Sequence, residues 1–332
     1  MRPEALLHPT PAGLYCPPGD FHVDPVRAVD RAVITHGHAD HTRPGHKSVL
    51  ATPETLAIAR LRMGEMPGEA LSHGEVKRVG EVDVRLVPAG HVLGSAQVVL
   101  EWNGLRIVVS GDYKRSPDPT CPPFEPVDAD VFVTEATFGL PVFHHPPAEA
   151  EIARLLHSRE VFADRCHLVG AYSLGKAQRV IALLRLAGYD RPVWLHGAMV
   201  AMCALYESFG VELGELRHVA EAPKGTDFAG EIVVAPPSAL GDRWSRRLGD
   251  PVCAMASGWM SIRARARQRG AELPLVISDH ADWDELTRTI DEVPSAEIWV
   301  THGREEALVR HAKLVGREAR ALSLVGYEDE SE

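Results

Sequence analysis

The fold is decided by ten residues, AVITHGHADH, which run from Ala32 to His41. The apolar residues Val33 and Ile34 favour a β-strand, and the turn after the strand carries four side chains that bind metals: His36, His38, Asp40 and His41. Imidazole and carboxylate groups together suit zinc, with manganese as the second choice. So many ligands in so short a turn predict a site for two metal ions rather than one.

The composition indicates a chain with a large buried core. Its length of 332 residues, 45% of them hydrophobic, excludes intrinsic disorder and small disulfide scaffolds. The formal net charge of -11 means that a nucleic-acid partner has to be held by a local basic patch. The five cysteines are widely spaced and odd in number, which predicts free thiols. No apolar stretch is long enough for a membrane span or a leader, so we expect a cytoplasmic protein with no membrane partner.

The pattern of the chain changes near residue 145. Residues 1–135 read as short strands joined by glycine- and proline-rich turns, including a hairpin whose turn is Asn103-Gly104. The later part alternates helices and strands, which predicts a mostly parallel sheet covered by helices. This alternation includes a helix over 238–248 and a strand over 273–280. The acidic tail, residues 327–332, is expected to be frayed.

Further side chains with metal-binding or acid–base chemistry follow predicted strands. Each stands at the C-terminal end of an apolar run and before a turn: His91, Asp112, Glu135, His280 and His302. Side chains at such positions meet at the edge where open α/β sheets place their sites. We therefore expect them to join the histidine-rich turn in one site.

The segments THGHADH, PAGHVLGS, SGDY and VTHG follow one another in an order that resembles the metallo-β-lactamase superfamily. TEATFG and SDHAD, with an α/β segment between them, are similar to its β-CASP nuclease branch. GAYSLGKAQRV and SGWMSIRARARQRG resemble the bacterial ligase-associated DNA exonucleases, relatives of the Artemis and Pso2 repair nucleases. The resemblance implies an α/β chain in which residues 1–145 and 270–332 form a metallo-β-lactamase αββα sandwich. An inserted α/β β-CASP domain would occupy residues 146–269.

The resemblance also implies a ligand set for two divalent metal ions, zinc first and manganese second. The ligands divide into His36, His38 and His91 for one ion, Asp40, His41 and His302 for the other, and Asp112 as a bridge. Asp24 would be the carboxylate that orients the metal-binding turn, with Asp20 and Asp30 as alternatives.

The implied activity is that of a DNA exonuclease in DNA repair, in which a metal-bridged hydroxide attacks the scissile phosphate. His280, supported by Glu135, would donate a hydrogen bond to a phosphoryl oxygen or a proton to the leaving alkoxide. Asp40 counts among the catalytic residues as well as among the ligands. The implied partners are nucleic acid, with DNA favoured over RNA, and repair proteins such as a ligase or a helicase.

Three alternatives stay open. His302 resembles the RNA-processing members, which favours a β-CASP ribonuclease acting as an exo- or endonuclease. A small-molecule thioester or lactone hydrolase would use the same metals, although the inserted domain argues against a small substrate. A catalytically silent nucleic-acid-binding scaffold would have no need of a complete ligand set.

A basic segment supplies the patch that an acidic nuclease needs. Residues 241–270 hold seven arginines against two aspartates. This segregation predicts phosphate contacts from Arg263, Arg265, Arg267 and Arg269, with a solvated helix face as the alternative. Lys176 follows a glycine-containing loop at the start of a predicted helix, a geometry that presents backbone N–H groups to an anion. It is the fifth predicted contact to nucleic acid.

Overall fold

The structure, a computed structural model, describes residues 2–322, so the predicted fraying of residues 327–332 lies outside the described range. The described chain divides into two compact units. Unit 1 consists of residues 2–144 and 280–322, and unit 2 of residues 145–279. All five cysteines are free thiols. No helix within the described range is both long enough and apolar enough to cross a bilayer.

Strands and helices occur along the whole described chain. The strands are β1 (His8–Thr10), β2 (Gly13–Cys16), β3 (Phe21–Val23), β4 (Arg31–Val33), β5 (Ser48–Ala51), β6 (Gly68–Ala70), β7 (Val76–Val79), β8 (Val82–Pro88), β9 (Ala96–Trp102), β10 (Leu105–Val109), β11 (Val131–Ala136), β12 (His167–Gly170), β13 (Val193–Leu195), β14 (Leu216–His218), β15 (Ile232–Ala235), β16 (Val252–Ala256), β17 (Leu273–Leu275), β18 (Glu297–Gly303) and β19 (Glu318–Ala321). The helices are α1 (Pro53–Met63), α2 (Ala148–Val161), α3 (Lys176–Leu186), α4 (Gly197–Ser208), α5 (Arg263–Gln268), α6 (Trp283–Glu292) and α7 (Glu305–Leu314).

Unit 1 contains two sheets that face each other. The first has the order β1-β2-β3-β4-β5-β6, and the second has the order β19-β18-β11-β10-β9-β8-β7. Phe21 and Val33 of the first sheet share one buried apolar cluster with Val84, Val98 and Ile107 of the second. Because alternate residues of a strand face opposite sides, one face of each sheet can supply this common core.

Helices cover the outer faces of both sheets. Leu56 of α1 packs in a cluster with Val49 on the first sheet. Ile290 of α6 and Leu308 of α7 pack in a cluster with Val108 on the second sheet. The layers therefore follow the order helix, sheet, sheet, helix, and the predicted αββα sandwich is confirmed.

The direction of the strands brings several predicted site residues to one edge of the second sheet. β10, β11 and β18 are parallel neighbours. β8 runs in the same direction, because both β8 and β10 are antiparallel to β9. The side chains that end these strands or follow them therefore lie at a common edge: His91, Asp112, Glu135 and His302.

The hairpin between β9 and β10 has the predicted turn. Asn103 and Gly104 both have positive φ angles, 49° and 81°, and Trp102 pairs with Leu105 across the turn. Two successive residues in the left-handed region are typical of a type I′ turn, whose twist matches that of the strands it joins. The predicted hairpin is confirmed.

Unit 2 contains a single six-stranded sheet in the order β14-β13-β15-β12-β16-β17, and each neighbouring pair is parallel. Its central strands β12 and β15 are buried along their whole length. Continuous burial is typical of parallel strands, because helices connect them across the faces of the sheet. The predicted alternation of helix and parallel strand is confirmed.

Two segments of unit 2 differ from their predicted form. Residues 238–248 lie in two short 3₁₀ segments, Pro237–Gly241 and Arg243–Leu248, because Asp242 between them has an extended backbone. The strand predicted over 273–280 ends at Leu275 and pairs with β16. The chain therefore returns to unit 1 at residue 280 rather than at the predicted residue 270.

Helix α1 lies in a region where only strands were expected. It begins at Pro53, and the hydroxyl of Thr52 accepts a hydrogen bond from the backbone N–H of Thr55. A threonine cap followed by proline is a typical helix start, because the cap satisfies a free N–H and proline fixes the first φ angle. The expectation of strands alone over residues 1–135 was therefore wrong.

Candidate metal centre

The histidine-rich turn is held by one buried aspartate. The carboxylate of Asp24 accepts hydrogen bonds from the backbone N–H and the hydroxyl of Thr35, at 2.8 and 2.6 Å. Nδ1 of His41 lies 2.7 Å from the same carboxylate and donates to it, because a carboxylate only accepts. Asp24 thus holds both the start and the end of the turn. The alternatives Asp20 and Asp30 form ion pairs at the surface instead.

The predicted ligands fall into two groups that meet at Asp112, and His280 lies in two further groups of potential ligand atoms. Within each group the atoms lie within 4.8 Å of one another. One oxygen of Asp112 lies 3.5 Å from Nε2 of His36 and 3.2 Å from Nε2 of His41, and the other lies 3.5 Å from Nδ1 of His302. The structure thus brings together all the predicted ligands: His36, His38, His91 and Asp112 in one group, and Asp40, His41 and His302 in the other.

These donor atoms fit divalent metal ions. Nε2 of His36 and Oδ1 of Asp40 are buried and have no hydrogen-bond partner among the described residues, which costs free energy unless a cation binds them. Nδ1 of His38 and Nε2 of His91 are only 2.9 Å apart, so two ring nitrogens converge. A set of imidazoles and carboxylates is one that zinc prefers and manganese accepts.

Burial and neighbouring charges divide the titrating groups of the centre. Burial, followed by the neighbouring His41 and His91 rings, holds the pKa of His36 well below its usual value. Burial opposes the protonation of His41, but the carboxylates around it, Asp112 first, raise its pKa well above the usual value. Burial also opposes the ionisation of Asp112, yet His41 and other nearby rings hold its pKa well below the usual value. Asp112 therefore stays ionised, whereas the ring of His41 has to give up a proton before it can bind a cation.

Helix α1 braces two of the turns that carry the candidate ligands. At its N-terminus, Thr52 and Thr55 donate hydrogen bonds to the carbonyl of Gly94, at 2.7 and 3.0 Å, in the turn after β8. At its last turn, Nη1 of Arg62 donates to the carbonyl of Gly37 in the histidine-rich turn. Sequence reasoning missed these contacts, because hydrogen bonds to backbone carbonyls leave no motif.

His280 lies beside the first group of ligands and contacts Glu135. Its Nδ1 is 3.1 Å from Oε2 of Glu135, and its ring centre is 4.6 Å from that of His91. The other oxygen of Glu135 accepts the backbone N–H of Tyr113 at 2.8 Å, and Thr137 donates its hydroxyl to Glu135. Glu135 is therefore fully engaged, which fixes the orientation of the His280 ring.

The end of β18 has a strained backbone at His302. This residue has a φ of 58°, in the left-handed region that side chains other than glycine rarely adopt. A Cβ atom on the following Gly303 would lie 2.2 Å from the carbonyl oxygen of Ala136, so β18 closes directly on β11. Such strain is concentrated at functional sites, where surrounding structure holds it in place.

Lys176 does not have the surface position that a contact to nucleic acid requires. Its side chain is fully buried in unit 2, and Nζ forms an ion pair with Asp279 at 2.8 Å. The prediction for Lys176 was wrong. Residues near Lys176 do not indicate its burial, because the aspartate that pairs with its ammonium group lies 103 positions further along the chain.

The predicted arginines differ in exposure. Arg263, Arg267 and Arg269 are exposed on and just after α5. Arg265 is partly buried, and its guanidinium lies 3.8 Å from the ring centre of Trp259. Such a stacked guanidinium is held by a cation–π contact. Three of the four arginines thus remain accessible to a polyanion.

Comparisons with known proteins follow this geometry. No family model matches the chain. It is 29% identical over 320 residues to a probable DNA ligase of Opitutus terrae, covering 93% of this chain and 30% of that protein. It is 26% identical over 390 residues to a ribonuclease of Thermus thermophilus, covering 92% and 88%. It is 22% identical to subunit 3-I of the cleavage and polyadenylation specificity factor of Arabidopsis thaliana, covering 92% and 55%.

Among solved structures, a protein of unknown function from Enterococcus faecalis has a similar fold. The TM-score is 0.59 at 15% identity, and the match covers 90% of this chain and 80% of that one. Among the curated relatives, the chain spans about a third of the Opitutus terrae ligase and about half of the Arabidopsis thaliana subunit.

The αββα sandwich, with clustered histidines and aspartates at one sheet edge, defines a metallo-β-lactamase fold. The chain is similar to curated relatives from the β-CASP branch of that superfamily, whose members are metal-dependent nucleases that hydrolyse phosphodiester bonds. The resemblance drawn from its motifs is thereby confirmed.

Proposed function

We propose that the protein is a dinuclear-metal phosphodiesterase that acts as a DNA exonuclease in DNA repair. The observation that carries the proposal is the position of Asp112, whose two oxygens contact both groups of potential ligands. A carboxylate shared in this way is suited to bridge two cations held a few ångströms apart.

The proposed ligands of the first ion are His36, His38 and His91, and those of the second are Asp40, His41 and His302, with Asp112 shared. When bound, two divalent ions, zinc first and manganese second, would activate water and neutralise the charge of the phosphate. Asp24 orients His41, and its hydrogen bond fixes which ring nitrogen of His41 is available as a ligand.

His280 is the proposed proton donor. Glu135 accepts a hydrogen bond from Nδ1 of His280, which leaves Nε2 on the opposite side of the ring to act on substrate. The hydrogen bond to Glu135 fixes the orientation of the ring, as a general acid requires. In the proposed reaction, the oxygen of water bonds to phosphorus and the water gives up one proton to solvent. The bond to the leaving nucleoside oxygen breaks, that oxygen takes a proton from His280, and His280 regains a proton from solvent.

Exposed arginines of unit 2 are the proposed contacts to the strand. Arg263, Arg267 and Arg269 are exposed to solvent, and Arg265 on Trp259 offers a flat guanidinium on which a base can stack. Guanidinium groups match the paired oxygens of phosphate, so these residues would hold the backbone without reading its sequence.

DNA is the proposed substrate because the relative with 29% identity is described as a probable DNA ligase. Since that protein combines a region similar to this chain with a much longer remainder, a repair ligase, with or without a helicase, is the proposed partner. The second candidate is an RNA-processing exo- or endonuclease. It is favoured by His302 and by relatives described as a ribonuclease and a cleavage and polyadenylation factor.

One experiment separates these candidates. The purified protein, loaded with Zn²⁺ or Mn²⁺, is given end-labelled single-stranded DNA and RNA of identical sequence. Stepwise shortening of DNA from one end supports the proposal, and preferential cutting of RNA supports the second candidate. Hydrolysis of neither substrate, with both metals bound, would refute both. The Asp112→Asn variant serves as the control for a contaminating nuclease.

A further inference from the structure

Glu285, in the first turn of α6, joins two turns of the site in unit 1. One turn follows β10 and contains Asp112, and the other contains His280 and leads into α6. Both oxygens of the Glu285 carboxylate are engaged, and their donors come from both turns: Lys114, Ser116 and Asp282. None of these three donors binds metal in the proposed function.

The contacts to the first turn are short and largely buried. Nζ of Lys114 lies 2.7 Å from Oε2 of Glu285, and the exposed fractions of the two side chains are 6% and 12%. The backbone N–H of Ser116 donates to Oε1 at 2.7 Å, and the Ser116 hydroxyl donates to the same oxygen. Burial opposes the ionisation of Glu285, but Lys114 and these donors lower its pKa. The carboxylate is therefore charged and holds the segment that follows Asp112.

The contacts to the second turn fix the start of α6. Oε2 of Glu285 accepts the backbone N–H of Asp282 at 3.3 Å, and the N–H of Glu285 donates to Asp282 at 3.0 Å. This reciprocal pair is a capping box, which orders the first turn of a helix. His280 stands two residues before the cap, so its backbone position depends on where α6 begins.

Two further hydrogen bonds join the residues around His280, and together with the Glu285 contacts they form what we call the frame of His280. The N–H of Ala281 donates to the carbonyl of Tyr113 at 2.6 Å, and the N–H of Tyr113 donates to Glu135 at 2.8 Å. Glu135 in turn contacts His280. The position of His280 relative to Asp112 is therefore set by Glu135 on one side and by the Glu285 contacts on the other.

We infer that Glu285 is a positioning residue, whose hydrogen bonds to the Lys114–Ser116 segment and to Asp282 place His280 for proton transfer to the leaving group. The inference rests on the proposed function, because it uses the role of His280 given there. An error of about 1 Å in such a group can reduce a rate about 100-fold, so even a partial loss of the frame is measurable.

The test compares two substrates that differ in their leaving group. The leaving group of an oligonucleotide is a nucleoside alkoxide, which needs a proton. The leaving group of bis(p-nitrophenyl) phosphate is p-nitrophenolate, which is stable without one. Glu285→Gln keeps the size of the side chain but replaces a charged acceptor. It should lower kcat for the oligonucleotide about tenfold or more, leave KM and the two bound metals unchanged, and leave hydrolysis of the p-nitrophenyl ester within about twofold of wild type.

Two variants complete the design. Ser116→Ala removes one hydroxyl from the frame and should give a smaller loss with the same selectivity for the oligonucleotide, which covers the case in which Glu285→Gln does not fold. Asp291→Asn is the matched control, because Asp291 is also an acidic residue of α6 but is exposed and faces His311 instead of the Lys114–Ser116 segment. It should behave as wild type with both substrates.

The outcomes separate the inference from the proposed function. Equal losses with both substrates, or full oligonucleotide activity in both Glu285→Gln and Ser116→Ala, would overturn the positioning role. If metal-loaded wild-type protein hydrolyses neither substrate, the proposed function itself fails.

Discussion

Nδ1 of His41 lies 2.7 Å from the carboxylate of Asp24, in a pair that is buried on both sides. Asp24→Ala should therefore lower the affinity for the second metal ion about 10- to 100-fold, because the ring of His41 loses its acceptor and its fixed orientation. Metal affinity is measured by competition with a chelator. Asp20→Ala, at an exposed aspartate close in sequence, is the control and should bind both ions normally.

Asp40→Asn should reduce bound metal towards one ion per chain and abolish nuclease activity while the fold is retained. The amide is a weaker ligand than the carboxylate, and Asp40 shares its group only with His41 and His302. Metal analysis and circular dichroism measure the two effects. Asp83→Asn, at an exposed ion pair of β8, is the control. Full metal content with normal turnover in Asp40→Asn would contradict the assignment.

His280→Ala should retain both metals yet slow the cleavage of DNA by roughly 100-fold or more, the range typical of a lost general acid. Single-turnover rates and metal content are measured on the same preparation. His144→Ala, at an exposed histidine paired with Asp284, should leave both unchanged. Loss of one ion from the His280 variant would instead make His280 a ligand.

Replacing Arg263 and Arg267 together by alanine should weaken the binding of single-stranded DNA and flatten its salt dependence by roughly one to one and a half units. Each neutralised phosphate of a single strand contributes about -0.7 to the slope of log affinity against log salt. Binding titrations at several salt concentrations measure this slope. Alanine at both Arg288 and Arg310, which are exposed in unit 1, is the control. An unchanged slope in the Arg263 and Arg267 variant would mean that these arginines face solvent and do not contact phosphates.

Gly94→Ala should destabilise the protein more than Gly104→Ala. Both glycines have positive φ angles, 75° and 81°, so both substitutions carry a similar backbone cost. A Cβ at Gly94 would lie 2.6 Å from Cβ of Glu54 on α1, whereas nothing lies within 4 Å of a Cβ at Gly104. The extra cost is about 1–3 kcal/mol for crowding in a packed region, measured as the free energy of unfolding in denaturant. Equal costs would show that α1 does not brace this turn.

The ligand groups were predictable because their residues are chemically unusual and stand at the ends of apolar strands. Their position after predicted strands indicated that they would meet at one edge of a sheet, and the resemblance to the metallo-β-lactamase superfamily implied how they divide between two ions. The same reasoning found the hairpin at Asn103-Gly104, where the turn itself demands those residue types.

Other features could not be predicted, because they depend on contacts between distant or backbone groups. The residues near Lys176 do not indicate that it forms a buried ion pair with Asp279. The contacts of Thr52 and Arg62 end on carbonyls, which every residue possesses. The residue at which the chain returns to unit 1 depends on the pairing of β17, a strand of only three residues.

The division of the ligands between two groups has a consequence for synthesis of the protein. The first group is complete once residue 112 has been made, whereas the second waits for His302, nearly two hundred residues later. At a typical rate of protein synthesis this interval lasts roughly 10–40 s. In the proposed function, Asp112 thus joins donors made early to a donor made nearly two hundred residues later, and the nascent chain has the proposed ligands for one ion well before it has those for two.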